Sequence, residues 1–202
     1  MTTPTTSTTP KVFNLIVLVA ALGYFVDIYD LLLFSVERIH SLKGNGIYKG
    51  ILGDGATDAE VKIIGKRLLN WQMGGMLIGG IFWGILGDKK GRLSVLFGSI
   101  ILYSLANIAN GFVQTVDQYA ALRFISGFGL AGELGAGITL VSETLSKEKR
   151  GIGTMIVATI GVFGAVVAGF MSNIIPNWRT SFFIGGGMGL ALLMLRIGVF
   201  ES

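Results

Sequence analysis

The 202-residue chain has no cysteine, one histidine and three prolines. Without cysteine there is no disulfide framework, no thiol nucleophile and no cysteine-based zinc site, and the redox compartment cannot be read. The lone His40 has no Cys or His companion nearby, so no metal site is expected. Charge is also scarce, at 14% of residues, while 51% are hydrophobic. A soluble domain with that balance would expose large apolar patches, so the expected solvent is the lipid bilayer. The net charge of +4 comes from basic residues spread over short loops between apolar segments rather than along one face. That pattern argues against nucleic acid as a partner. What is abundant is glycine, 31 residues, set mostly inside apolar stretches. There small residues let helix backbones approach closely, so they read as packing surfaces.

Residues 1–10 are almost all Thr, Ser and Pro, with no apolar periodicity, and are expected to be a disordered tail. The tail lacks the basic start and cleavage site of a secretory signal, so the apolar run after it reads as a retained first helix. Crossing the hydrocarbon core takes about 20 apolar residues. Six stretches within 11–202 qualify, at about 12–36, 67–87, 93–111, 118–141, 151–174 and 180–200. An all-α membrane domain of six transmembrane helices follows, with both termini on one side. Lys11, Lys89, Lys90, Arg92, Lys147, Lys149 and Arg150 collect on that side, against Arg179 in the short loops opposite. By the positive-inside rule both termini are cytoplasmic. The loop at 37–66 lies outside and is long enough for its charges to count less, with a short amphipathic helix near Ala59 to Lys66.

Carboxylates inside these helices are the candidate functional groups, because a charge at mid-membrane costs about 2.5–3.5 kcal/mol on insertion scales. Asp27 and Asp30, in Gly23-Tyr24-Phe25-Val26-Asp27-Ile28-Tyr29-Asp30, are three apart and share a face of the first helix, flanked by Tyr24 and Tyr29. Arg123, about 9 Å into the fourth helix at 1.5 Å per residue, is expected at their depth. An Asp facing Arg⁺ stays ionised and one in an apolar cavity can hold a proton, so a switch between the two states is a coupling device. A permanent bridge that only joins two helices is the plainer alternative. Glu133 sits about 15 Å further along the fourth helix, among glycines, where it either lines a cavity or bridges helices.

At the inner surface, Gly84-Ile85-Leu86-Gly87-Asp88-Lys89-Lys90-Gly91-Arg92 joins the second and third helices so tightly that Gly91 is expected to make the turn. Asp88 can cap the next helix or accept bonds from Arg92, a latch rather than a catalyst. Glu143 is placed to meet Arg92 or Arg150 in the same layer.

Gly84-x-x-x-Asp88-Lys89-x-Gly91-Arg92 resembles the signature loop of the major facilitator superfamily between its second and third helices, with Leu93 where a further basic residue is usual. Arg123 with Gly127 resembles the family's fourth-helix motif, whose arginine is associated with proton coupling. Glu143 to Gly151 resembles its inner fourth-to-fifth loop, and Asn177-Trp178-Arg179 its entry to the sixth helix. Asp27-Ile28-Tyr29-Asp30 and Ala131-Gly132-Glu133-Leu134-Gly135 look most like the metabolite:proton symporters. Phosphate carriers would show Asp-Tyr-Pro at 133–135, and the fifth helix lacks the Gly-Pro pair of drug antiporters. The resemblance implies the amino-terminal six-helix half, a 3+3 inverted repeat, of a twelve-helix carrier. It implies uptake of a small polar, anionic metabolite with protons by alternating access, and no cofactor beyond the coupling proton. The partners implied are the substrate, the bilayer, and a carboxy-terminal half or a second copy of the chain. The place implied is a cell membrane, as a multi-pass protein of the bacterial inner membrane type. A half-size protein working as a homodimer, and a phosphate- or sugar-type carrier, remain as alternatives. Tyr29-Asp30 and Leu86-Gly87-Asp88 also resemble the aspartates of intramembrane proteases, but at opposite surfaces they cannot share a water, so no enzyme is expected.

Overall fold

The computed structural model describes residues 15–200, without the side chains of 15, 16, 134–144, 199 and 200. The expected tail at 1–10 and the Glu143 side chain lie outside the described residues. Six helices follow one another: α1 (Leu15–Leu42), α2 (Asp58–Lys90), α3 (Arg92–Asn110), α4 (Val116–Thr144), α5 (Lys147–Ile174) and α6 (Trp178–Phe200). The segments Val17–Leu42, Arg92–Asn110, Lys147–Ile174 and Trp178–Gly198 are each long and apolar enough to cross a bilayer. α2 and α4 run to 33 and 29 residues, lengths that also suffice to cross.

The loop expected over 37–66 is shorter, because α1 continues to Leu42 and α2 starts at Asp58. Packing extends α1: Leu33, Phe34 and Leu42 are buried in one cluster with Val61, Tyr119, Trp178 and Phe182. A capping box starts α2, with the Glu60 N–H donating to Thr57 Oγ1 at 3.3 Å and the Thr57 N–H donating to Glu60 Oε2 at 2.8 Å. The amphipathic segment from Ala59 is therefore the opening of α2. The connection that remains is tied to the α5–α6 corner, where Asn45 Nδ2 donates to the Pro176 carbonyl at 2.6 Å. We call this the long-loop end of the bundle, and the end carrying the α2–α3 and α4–α5 connections the basic-loop end.

α2 packs along α4 and α1 along α5, while α3 lies against α4 and α6. Glycine permits the first two contacts. A methyl group at Gly75 or Gly79 would overlap the carbonyl oxygen of Phe124 or Phe128, and one at Gly164 would overlap that of Phe25. These are backbone-on-backbone approaches that a larger residue holds apart. α2 and α5 also carry many large uncovered apolar side chains, among them Leu77, Ile81, Phe163 and Phe170.

Candidate functional site

One face of α1 carries Asp27, Asp30 and Glu37, at helical spacing. All three are buried, as are Arg123 and Glu133 on α4, Asn107 and Asn110 on α3, and Arg196 on α6. The charges therefore lie inside this six-helix bundle, in three layers.

The layer nearest the basic-loop end joins four helices. Arg196 Nη2 lies 2.6 Å from Glu133 Oε1, with both side chains at most 3% exposed. Asp27 faces Glu133 and Arg196, and the Tyr103 hydroxyl is directed at Glu133. Room for the pair comes from Gly23, where a Cβ would collide with the Arg196 guanidinium and stand 3.0 Å from Glu133 Oε1.

In the middle layer, Arg123 donates from Nη2 to Asn107 Oδ1 at 2.7 Å and from Nε to Asn110 Oδ1 at 3.3 Å. Ser126 donates to the same Asn107 oxygen at 3.2 Å. The guanidinium lies 4.8 Å from the centre of the Phe182 ring, with Phe34 and Tyr119 at 5.7 and 5.8 Å. Such aromatic faces attract a cation in a dry setting. Asp30 is its electrostatic partner, yet neither Asp30 oxygen takes part in a hydrogen bond of standard geometry. At the long-loop end, Glu37 accepts from the Ser181 hydroxyl at 2.8 Å and lies 3.3 Å from His40 Nδ1.

The sequence places Asp27 and Asp30 together at the depth of Arg123; the structure separates them. With α1 running on to Leu42, Asp27 lies fifteen residues, about 22 Å, from the helix end, level with Glu133. Asp30 alone stays beside Arg123. Tyr29 is fully buried with its hydroxyl unpartnered, and Tyr24 packs on Gly161 of α5. Arg196, Glu37, Tyr103, Asn107 and Asn110 were not among the expected site residues. Arg196 had a signal, a single charge in the apolar run of 180–200. Glu37 was hidden by the misplaced end of α1, and neutral side chains such as the two amides give no charge signal to follow.

At the basic-loop end, Gly91 is the only residue between α2 and α3 and has φ +87, the left-handed region that glycine tolerates. Asp88 falls in the last turn of α2, and α3 begins without a side-chain cap, so Asp88 does not cap α3. Gly84, Gly87, Asp88 and Arg92 line a cavity of about 160 Å³ together with Trp83 and Gly132. Lys89 is exposed beside it, and Arg150 Nε donates to the Leu145 carbonyl at 3.0 Å. Asp30 and Asp88 belong to opposite parts of the bundle: Asp30 is about 18 Å from the long-loop end of α1, Asp88 about 45 Å from that of α2.

The family model described as Major Facilitator Superfamily matches residues 47–200. Among curated proteins, the chain is 37% identical over 115 residues to a niacin transporter, NiaP, of Acinetobacter baylyi, covering 55% of the chain and 26% of that protein. It is 30% identical over 171 residues to inorganic phosphate transporter 1-11 of Oryza sativa, covering 80% of the chain and 30% of that protein. The chain thus spans less than a third of the length of either relative. Among solved structures it resembles the proton:xylose symporter XylE, with a TM-score of 0.74 at 18% identity over 89% of the chain and 43% of that structure. A second structure of XylE, from E. coli in an inward open conformation, gives 0.72 over 89% and 46%. These two share the fold. With its apolar helices, its buried charges and the signature connection at 84–92, the chain is a multi-pass membrane protein that belongs to the Major Facilitator Superfamily, a family of transporters and not of enzymes.

Proposed function

We propose that the chain forms one half of a secondary active transporter that moves a small anionic metabolite together with protons by alternating access. The observation that carries this reading is the set of three carboxylates and two guanidiniums, Asp27, Asp30, Glu133, Arg123 and Arg196, each at most 3% exposed among apolar helices. Groups so unfavourable in lipid persist where they serve transport or proton movement. Arg123 and Arg196 each keep one buried nitrogen, Nη1, without a hydrogen-bond partner, donors that suit an anion. The relatives' names supply two substrates to try, niacin and inorganic phosphate.

The second half of the cavity is a carboxy-terminal six-helix unit or a second copy of the chain, meeting the uncovered faces of α2 and α5. Both termini lie in the cytoplasm, the membrane is of the bacterial inner membrane type, and the proton is the only coupling ion this reading needs. Gly84, Asp88, Lys89, Gly91 and Arg92, with Arg150 and Glu143, act as the latch that closes the inner side. Asp27, Asp30, Arg123 and Glu133 carry the coupling, with Tyr24 and Tyr29 beside them.

The test is uptake of labelled nicotinate or phosphate into liposomes holding the chain at a measured oligomeric mass, with and without a co-reconstituted carboxy-terminal half. The expected result is saturable uptake driven by an inside-alkaline pH gradient and abolished by a protonophore, with Asp27→Asn and Arg123→Ala inactive. Equal uptake without a gradient removes proton coupling, and unchanged uptake in both variants removes these residues from it. Uptake by a verified monomer alone would overturn the need for a second half.

A further inference from the structure

Of the three layers of buried charge, the two away from the long-loop end are unequal. Arg123 acts on Asp30 and is held by Asn107, Asn110 and three aromatic rings; it is not among the groups acting on Asp27. That group is balanced, one guanidinium to one carboxylate. The deeper group is not. Asp27 of α1 and Glu133 of α4 face each other and have one cation between them, Arg196 of α6. Among the described residues, the other polar or charged groups facing them are Tyr103 from α3, which is neutral, and Asp30 from α1, which adds negative charge. Two carboxylates side by side in an apolar layer cannot both stay ionised against a single cation. Asp27 Oδ1 and Glu133 Oε2 are both buried without a hydrogen-bond partner of standard geometry, and a proton held by one carboxyl would give the other an O–H to accept from.

We propose that Asp27, Glu133 and Arg196 form one proton-binding site, in which the two carboxyls share a single exchangeable proton and Arg196 is the fixed counter-charge. Arg196 is then a positioning residue: its charge sets the number of protons held, and the room it occupies is left by Gly23. The part this site plays in transport rests on the proton-coupled reading above; its existence does not.

Infrared spectroscopy of the whole chain in lipid at neutral pH reads protonated carboxyls directly through their C=O stretch, independently of transport. A protonated-carboxyl band is expected, and Asp27→Asn or Glu133→Gln should each remove it, since the remaining carboxylate is neutralised by Arg196. Arg196→Lys should keep the band and Arg196→Met should about double it, while Asp30→Asn leaves it in place. Circular dichroism checks that each variant keeps its helices; should Arg196→Met fail to fold, the two isosteric carboxyl variants and Arg196→Lys still decide. Absence of the band in the unaltered chain, or its loss only in Asp30→Asn, overturns the proposal. Uptake that ignores the pH gradient while the band is intact would sink the coupling reading and leave the site standing.

Discussion

Arg123 is held by neutral groups, two amide oxygens and three aromatic rings, with Asp30 as its counter-charge. Lysine keeps the charge but loses the planar fork that reaches Asn107 and Asn110 together. Arg123→Lys should leave those buried acceptors short of a donor, at about 1–3 kcal/mol, read as a lower thermal midpoint in detergent; an unchanged midpoint would show that the two amides find other donors. Gly91 is a second residue whose identity is fixed by geometry, since φ +87 places a Cβ against its own backbone. Gly91→Ala should cost about 1–2 kcal/mol and Gly91→Asn less. Two alanine and asparagine midpoints that coincide with the parent would mean that the connection relaxes to another turn. Both residues were legible in the sequence, Arg123 as a charge in an apolar helix and Gly91 as the glycine of a very short turn. The partners of Arg123 were not, because nothing in a sequence tells which amides on another helix will face it.

Helix α2 shows two devices at the scale of an element. Its start is electrostatic: the Lys43 ammonium, 2.8 Å from Asp58, holds that carboxyl below its usual range, and the Thr57 N–H and hydroxyl do the same for Glu60. A carboxylate whose folded value is lowered contributes stability above its unfolded value, and that contribution is lost as the pH falls through the folded one. Amide exchange in the first turn of α2, corrected for intrinsic rates, should therefore quicken below about pH 4. Thr57→Ala should quicken it several-fold at neutral pH by removing the cap. Exchange that is flat with pH in both proteins would show that packing, not the cap, holds this end. The body of α2 depends instead on Gly75 and Gly79 lying against the carbonyls of α4. Gly79→Leu should separate the two helices and destabilise the bundle by about 1–3 kcal/mol or more, with Gly80→Leu, where nothing lies within 4 Å, as the neutral control. Equal effects of the two variants would count against close packing at Gly79. The glycine content was plain in the sequence, but which of the adjacent pair Gly79 and Gly80 packs was decided by the rotation of α2 against α4.

At the scale of the whole molecule, large hydrophobic side chains point outward on α2 and α5 while Asp27, Asp30, Glu37, Arg123, Glu133 and Arg196 are buried, the reverse of a soluble domain. Because the chain has no cysteine, a single introduced one is an unambiguous reporter. Cysteine at Asn45 should react with a membrane-impermeant maleimide from outside intact cells, cysteine at Lys89 only after permeabilisation, and cysteine at Leu77 or Phe163 slowly in either case. Labelling of Lys89→Cys from outside would invert the topology expected from the basic loops. Rapid labelling at Leu77 and Phe163 would show these faces open to water rather than covered by lipid or by another six-helix unit.

The sequence by itself determined that the chain crosses a membrane, how many helices it has, which motifs it shares with the superfamily, and that Asp27, Asp30, Arg123 and Glu133 are buried charges in need of partners. Those properties follow from composition, periodicity and the unfavourable transfer of charge into lipid, all of which are local to a segment. The tertiary structure alone decided the pairing. Six further residues of α1 beyond the expected position 36 end it at Leu42, and the resulting depth sets Asp27 against Glu133 and leaves Asp30 to Arg123. α6 then brings Arg196 to Glu133 at 2.6 Å. Pairing depends on helix length, rotation and crossing together, and a shift of one turn, about 5.4 Å, changes which charges meet.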